Sequence, residues 1–313
     1  MITLDTVVKL LSYAVLCGTV YLFATLGEII TQRSGIMNLG AEGMVMFGAV
    51  ASALVVTFTK NVFLGTLAGM AGGALLAAVH AFICIKLKAS QVASGLTLTI
   101  LGVGAGNFLG KQFKLVGNSV PATFENIKIP LLGDIPVIGE ILFNQNLLVY
   151  VGYILAIVLA LFMFKTRAGM RLRAVGENPA AADAAGINVF GIKYGYTIFG
   201  GALSGLSGAY LVLALQKSFQ SDISGGAGWL AVALVIFALW RPALALLGSF
   251  MFGLIVSFQV RLSDFGLQNI PPEFIKMIPY AATIIVLILV SGKVRRSAGG
   301  PAALGVPYDR EER

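Results

Sequence analysis

The chemically most informative side chains of this sequence are polar groups inside long apolar stretches. In the stretch 90–110, Gln91, Ser94 and Thr97 recur at three-residue spacing, which favours one polar stripe along a helix. Asn107 lies further along the same stretch. Amide and hydroxyl groups of this kind either hydrogen-bond neighbouring helices or line a pathway for a polar, uncharged solute. Each residue alone favours helix contact, whereas the set favours a pathway.

A second group of polar residues opens the apolar stretch 37–58. Asn38 and Glu42 are four residues apart, so they share one face of a helix. An ionisable residue inside a membrane span is a functional candidate by default. Pairing with Arg33, which lies shortly before, is the structural alternative for Glu42. The pathway hypothesis therefore comprises six residues: Asn38, Glu42, Gln91, Ser94, Thr97 and Asn107.

The sequence offers little for catalysis. His80 is the single histidine, and Cys17 and Cys84 both lie in apolar stretches, so we expect neither a disulfide framework nor a metal site. Gly110-Lys111 is followed by Gln112, which breaks the phosphate-binding G-x-x-x-x-G-K-[ST] motif, and no G-x-S-x-G or H-E-x-x-H occurs. A membrane-embedded enzyme is therefore disfavoured. Any ATP involved must bind to another chain.

The composition is that of an all-α polytopic membrane protein. The 313 residues are 58% hydrophobic and 12% charged, with a mean hydropathy of +0.89, whereas a soluble domain carries about 25% charged residues. The helical bundle has about 8–10 spans in a single transmembrane domain, 1–296, followed by a flexible tail, 297–313. Nine apolar stretches are candidate spans: 9–30, 37–58, 62–86, 90–110, 147–164, 193–215, 228–240, 243–260 and 274–292.

Two further features concern the ends of these spans. The stretch 228–240 is too short to cross alone, so it is broken, tilted or paired with the next one around Arg241-Pro242. The N-terminus lacks the basic start of a cleavable signal peptide, so we expect the first stretch to be retained.

The distribution of cations orients the bundle. If Lys293, Arg295 and Arg296 are cytoplasmic, alternation places 14 of the 22 Lys and Arg residues on that side. The connection 165–193 is then cytoplasmic, the N-terminus lies outside, and the connection 111–146 forms an irregular outer cap.

A short helix is encoded within the connection 165–193. Asn178 is a suitable N-cap, Pro179 suits the first helical position, and Ala180 to Ala185 favour helix. Gly186 suits the left-handed residue that ends it. About two turns cannot cross a bilayer, so this helix either docks on a partner or merely tethers two spans. The spacing alone leaves both open.

Glycines spaced by four recur in the apolar stretches and predict close helix approach. They form four sets: Gly69/Gly73, Gly102/Gly106/Gly110, Gly191/Gly195 and Gly201/Gly205. Packing within one subunit is favoured over a subunit interface.

Three segments together resemble one family. Residues 27–44, GEIITQRSGIMNLGAEGM, are similar to the signature of inner-membrane permeases of ABC importers that carry ribose, branched-chain amino acids and nucleosides. The form R-S-G-I-M-N-L-G-A-E-G-M most resembles the nucleoside and simple-sugar members. Residues 176–189 resemble the family's cytoplasmic coupling helix, and 200–209 fit the following span. The resemblance covers about 8–293.

The resemblance implies a complex in the bacterial plasma (inner) membrane, with the C-terminus cytoplasmic. Its other parts are ABC ATPase subunits that bind ATP and Mg, a second permease (a longer paralogue or a second copy) and an extracytoplasmic substrate-binding protein. Transport would proceed by alternating access, coupled through the helix at 178–186, and this chain would hold no cofactor. The implied ATPase-docking residues are Arg171, Arg173, Glu177, Asn178, Pro179, Asp183 and Gly186.

Other readings stay open. Within the same family the solute is a nucleoside, a simple sugar, a flavin-like vitamin or a branched-chain amino acid. Amide and hydroxyl groups suit the neutral solutes, whereas an amino acid would want charged partners along the path. An ion-coupled secondary transporter would carry several mid-span carboxylates and an inverted repeat, neither of which is clear here.

Overall fold

The described part of the chain is a bundle of α-helices. The computed structural model describes residues 4–261 and 300–311, together with scattered helical positions between 274 and 288. The helices are α1 (Leu4–Arg33), α2 (Ala41–Thr59), α3 (Val62–Ala81), α4 (Gln91–Gln112), α5 (Ile138–Leu142), α6 (Leu147–Lys165), α7 (Arg167–Glu177), α8 (Pro179–Ala184), α9 (Val189–Tyr210), α10 (Ala227–Phe237) and α11 (Pro242–Val260). Single π-helical turns, Phe82–Lys86 and Leu211–Leu215, extend α3 and α9.

Seven helices of the described residues are long and apolar enough to cross a membrane, and they match seven predicted spans. The stretch 228–240 is too short, as predicted, because α10 has only 11 residues. Leu239 and Trp240 follow with positive φ angles of 51° and 53°, and Pro242 then opens α11 at its first position. This turn makes α10 and α11 a hairpin at Arg241-Pro242. The ninth span, 274–292, lies outside the continuously described residues.

Helices α1, α2 and α9 form the centre of the bundle. In the most apolar stretch of α9, 78% of the residues are buried, compared with 28% in α4. Large apolar side chains on the outer helices, such as Ile100 (75% exposed) and Leu247 (61%), face outwards, as expected for lipid or a partner subunit.

Glycines allow the central helices to touch backbone to backbone. A Cβ on Gly73 would lie 2.2 Å from the Gly201 carbonyl oxygen, and one on Gly205 would lie 2.2 Å from that of Gly69. Helices α3 and α9 therefore meet through two of the predicted glycine sets, and packing within the chain is confirmed there. The set Gly191/Gly195 differs, because both residues are exposed and no other element approaches them closely.

The connection 111–146 is largely irregular, as predicted, and carries a small hairpin. Strand β1 (Asn126–Lys128) pairs antiparallel with β2 (Asn144–Asn146), and α5 lies between them. This connection lies at the end of the bundle opposite to α7 and α8. The end that holds α7 and α8 is called the coupling end below.

Candidate functional site

Helix α7 seats the coupling end on the bundle. Thr166 caps it, since its hydroxyl oxygen accepts a hydrogen bond from the Gly169 N–H at 3.0 Å. Leu172 and Val175 are fully buried, and a Cβ on Gly176 would lie 2.2 Å from the Arg33 carbonyl oxygen. This helix was not predicted, although the cap and the three-residue spacing of Leu172 and Val175 are sequence signals for it.

Helix α8 has the ends that the sequence predicts. The Asn178 side-chain oxygen accepts from the Ala181 N–H at 3.0 Å, and Pro179 occupies the first helical position. Gly186 has a φ of +78°, and the Ile187 N–H closes the end on the Ala182 carbonyl at 3.0 Å. Ala182 is buried against the bundle, whereas the remaining alanines on the outer side are exposed: Ala180, Ala181 and Ala184.

The C-terminal segment 300–311, called the strap below, lies across α7 and α8. The Arg310 guanidinium donates to both Asp183 carboxylate oxygens at 2.5 and 2.8 Å, and the Tyr308 hydroxyl donates to the same carboxylate at 3.0 Å. The Ala302 N–H donates to Glu177 at 3.2 Å. A flexible, solvated tail was expected here. The segment 300–311 is instead held in place, because Asp183 of α8 binds Arg310 and the Phe190 ring packs against Tyr308.

The charges of the strap are paired with the bundle. The Lys88 ammonium forms an ion pair with Asp309, and this hydrogen bond lowers the pKa of the Asp309 carboxyl below its usual value. The hydrogen bond to Asp183 likewise raises the pKa of Arg310. The Asp309 carboxyl therefore stays ionised at neutral pH. These pairs connect the strap to α8 and to the α3–α4 connection.

The two predicted docking arginines have different surroundings. Arg171 is exposed and lines an open cleft of about 1100 Å³ between α6, α7 and the start of α9. Arg173 is half-buried, with its guanidinium 5.2 Å from the centre of the Phe164 ring. Glu177 is 53% exposed, and its carboxylate lies 3.9 Å from Arg33. Arg171 and Glu177 are thus accessible to a partner.

Asn38 belongs to a buried hydrogen-bond network. Its amide donates to the Glu28 carboxylate at 2.6 Å, and its oxygen accepts from the Gly40 N–H at 3.0 Å. Gln32 contacts the same carboxylate at 3.4 Å and accepts from the Trp240 indole at 2.8 Å. The network joins α1 to the turn between α10 and α11. Glu28 is not among the six predicted pathway residues, although it lies at the centre of this network.

Glu42 caps helix α10. Its two carboxylate oxygens accept from the Gly226 N–H at 2.9 Å and from the Gly228 N–H at 2.7 Å. The alternative pairing with Arg33 is wrong, because Arg33 bonds to the Trp240 carbonyl and approaches Glu177 instead. A Cβ on Gly228 would lie 2.3 Å from the Glu42 nitrogen, so the glycine permits the approach.

The residues of α4 do not form one stripe. Gln91 and Ser94 are buried, and the Gln91 oxygen accepts from the Met37 N–H at 2.6 Å. Ser94 lies 3.0 Å from the His80 ring, which also contacts the Met37 carbonyl. Thr97 is exposed and bonds to its own helix. Successive three-residue steps each fall about 60° short of a full turn, so Thr97 has rotated out of the buried face.

Asn107 lies at the other end of α4. Its amide donates to the Asp222 carboxylate at 2.7 Å and its oxygen accepts from the Asp222 N–H at 3.0 Å. The six predicted pathway residues therefore do not converge on one cavity of the described chain. In the described ranges, no three side chains of the His, Cys, Asp and Glu types gather as metal ligands would.

A family model described as "Branched-chain amino acid transport system / permease component" matches residues 10–287. No solved structure matches the chain significantly.

Several known proteins resemble the chain over nearly its whole length, and three of them are 36–37% identical to it. The putative glucose ABC transporter permease protein TsgC13 of Haloferax volcanii is 37% identical and covers 96% of this chain and 98% of itself. The nucleoside ABC transporter permease protein NupC of Lactococcus lactis is 37% identical, with 93% of each chain covered. The guanosine ABC transporter permease protein NupQ of Bacillus subtilis is 36% identical, with 98% and 99% covered.

A more distant match comes from the same Lactococcus lactis strain. The nucleoside ABC transporter permease protein NupB is 22% identical, and the alignment covers 86% of this chain but 76% of NupB. NupB is therefore the longer of the two, and its strain holds two nucleoside permease proteins that match this chain.

Proposed function

Since this chain belongs to the family of branched-chain amino acid transport system permease components, it is a membrane-spanning transport subunit of an ABC transporter, and we propose that it imports nucleosides. The choice of a nucleoside as the solute rests on two relatives at 36–37% identity. NupC is a nucleoside permease and NupQ is a guanosine permease. A nucleoside is neutral and rich in hydroxyl groups. It suits amide and hydroxyl side chains rather than charged ones.

A simple sugar is the second candidate solute. TsgC13, a putative glucose permease, is as similar to the chain as NupC is. Sugars and nucleosides both present a ring with several hydroxyl groups, so the same polar side chains would suit either. Competition between labelled solutes, rather than sequence identity, separates these two readings.

Helix α8 is proposed to be the contact with the ATPase. It is short, capped at both ends and exposed on its outer side. Ten Lys and Arg residues of the described chain lie at the coupling end or in its connections, which supports a cytoplasmic position for that end. They are Arg33, Lys86, Lys88, Lys165, Arg167, Arg171, Arg173, Lys193, Arg241 and Arg310.

Three partners complete the proposed importer. The ATPase binds ATP and Mg, and an extracytoplasmic binding protein delivers the solute to the opposite end. The second permease is proposed to be a longer paralogue, because the Lactococcus lactis strain that holds NupC also holds the longer NupB. ATP binding would then bias two conformations of the paired permeases, and α8 would pass that bias to the spans.

The solute path is proposed to run along the exposed face of α4. Thr97 and Phe108 (65% exposed) lie on this face, and Gly104 between them has no neighbour within 4 Å of its would-be Cβ. A second permease packed there would enclose a hydroxyl and an aromatic ring. Aromatic rings stack on nucleobases, and each such contact is worth about 1–3 kcal/mol. Asn38, Glu42, Gln91 and Ser94 would support the path from inside the bundle.

The experiment is uptake into proteoliposomes that contain both permeases, the ATPase and the binding protein. Labelled nucleoside is offered with unlabelled nucleosides or glucose as competitors. Ala181→Tyr and Ala184→Tyr place bulk on the exposed side of α8, and Glu125→Tyr places it at the opposite end as a control. We expect ATP-dependent uptake that other nucleosides compete away. The α8 variants should lose the ATPase on purification, whereas the control retains it.

Each part of the proposal has its own contrary outcome. Competition by glucose but not by nucleosides would replace the nucleoside with a sugar. Uptake that continues without the ATPase would favour a secondary transporter. An ATPase that stays bound to both α8 variants would exclude α8 as its docking helix.

A further inference from the structure

The strap is a segment of the coupling end whose role the proposed function does not explain. We propose that Arg310 and Tyr308 are positioning residues that fix α8 to the bundle, so that the strap is part of the coupling between the ATPase and the spans. This inference rests on the proposed function of α8 as the contact with the ATPase. It concerns how α8 is held rather than what it binds.

Helix α8 is too short to be stable alone. It has six residues, whereas isolated helices shorter than about 12–15 residues are marginal in water. Ala182 is its one buried residue, and it packs in a small apolar cluster with Val175, Val189 and Tyr308. The Phe190 ring packs against the Tyr308 ring at a tilt of 41°, with 5.8 Å between ring centres. The strap therefore supplies a large part of the surface on which α8 rests.

Asp183 is the point at which the strap holds α8. Its side chain is only 5% exposed, and it faces the Arg310 guanidinium and the Tyr308 hydroxyl rather than solvent. Two parallel N–H···O bonds between Arg and a carboxylate fix orientation as well as distance. A cation of the ATPase could not reach this carboxylate without displacing the strap. The predicted docking role of Asp183 therefore becomes an indirect one.

The strap also binds the neighbouring elements. The Ala303 N–H donates to the Gly176 carbonyl at 3.0 Å, and the Gly305 N–H donates to the Gly35 carbonyl at 3.3 Å. Asp309 pairs with Lys88 of the α3–α4 connection. One continuous segment thus joins α8, the end of α7, the α1–α2 turn and the α3–α4 connection. A force on α8 is passed to α1–α4 through these bonds.

The test uses neutral variants of similar size in the complete reconstituted importer. Asp183→Asn, Arg310→Gln and their double variant are compared with Glu311→Gln, a neighbouring exposed charge of the strap. Each complex is assayed for bound ATPase, for nucleoside imported per ATP hydrolysed, and for thermal stability. Tyr308→Phe removes the third hydrogen bond and keeps the ring in the apolar cluster.

We expect Asp183→Asn and Arg310→Gln to lower the solute imported per ATP by the same factor, because each breaks the same ion pair. The loss should be limited to about three- to tenfold, since Arg310 is 64% exposed and solvent screens the pair. The double variant should be no worse than either single variant. Glu311→Gln should match the unaltered chain, and Tyr308→Phe should fall between.

Several outcomes would overturn the inference. Unchanged import per ATP in both single variants would show that α8 works without the strap, while the docking role of α8 would stand on its own variants, Ala181→Tyr and Ala184→Tyr. Loss of the ATPase from Arg310→Gln but not from Asp183→Asn would mean that Arg310 touches the ATPase directly. Additive losses in the double variant would mean that the two residues act separately.

Discussion

The capping of helix α10 by Glu42 leads to a prediction about the stability of the helical bundle. Its carboxylate accepts two backbone N–H bonds, from Gly226 and Gly228, at a buried position that is 6% exposed. Hydrogen bonds to a charged acceptor contribute about 1.5–3 kcal/mol each. Glu42→Gln keeps one acceptor oxygen and turns an NH₂ group towards a donor. We expect it to lower the free energy of unfolding by about 2 kcal/mol.

Glu42→Ala should cost more, because it leaves the Gly226 and Gly228 N–H groups without their acceptor at a largely buried position. We expect a loss of about 3–6 kcal/mol, the sum of two such bonds. Thr57→Val on the same helix is the matched control. It removes only a bond to the Ala53 carbonyl one turn earlier, so the change should stay within about 0.5 kcal/mol.

The assay is equilibrium unfolding of the purified chain in detergent, beside uptake kinetics of the reconstituted importer. A structural cap predicts that stability falls in both Glu42 variants while the KM for solute in the surviving complexes is unchanged. The reasoning would be refuted if both variants unfolded like the unaltered chain and the KM rose. Glu42 would then be a substrate contact, as the pathway hypothesis has it.

Three further predictions concern other elements. Asn178→Ala removes the cap of α8 and should destabilise that helix by about 1 kcal/mol, measured as faster proteolysis within 165–193; unchanged cleavage would exclude the cap. Gly205→Ala puts a Cβ 2.2 Å from the Gly69 carbonyl oxygen, so α3 and α9 must separate. We expect this to lower the free energy of unfolding in detergent by about 1–3 kcal/mol. Gly195→Ala is the control and should be neutral, because the space around Gly195 is open. Trp240→Phe loses the bond to Gln32 at 2.8 Å and should cost about 1 kcal/mol; equal stability would mean that this bond contributes nothing.

Local features of the sequence were sufficient to predict most helices. Long apolar stretches must become helices in a bilayer because a helix satisfies its own backbone groups, so the seven long helices were predictable from composition. The ends of α8 were also predictable, because Asn178, Pro179 and Gly186 act within one turn of their own positions. Helix α7 was not predicted because its three arginines obscured the pattern of its two buried apolar residues, Leu172 and Val175.

Partners distant in the sequence were not predictable in this way. Glu42 is 184 residues from Gly226, and Asp183 is 127 residues from Arg310. Arg33 was the obvious partner for Glu42 by proximity in the chain, yet the packing of α10 against α2 decided otherwise. A polar group in an apolar stretch indicates that some partner exists. Which partner it has depends on how the helices cross.

The sequence by itself thus determined the class of protein, its spans and the short helix α8, because hydrophobicity and capping act locally. The tertiary structure decided what the polar side chains do. In the folded chain, Asn38 hydrogen-bonds to Glu28, and Glu42 caps the N-terminus of α10. Asp183 binds Arg310 of the strap. The physical reason is that a buried polar group must find a hydrogen-bond partner, and only the packed bundle brings the partners together.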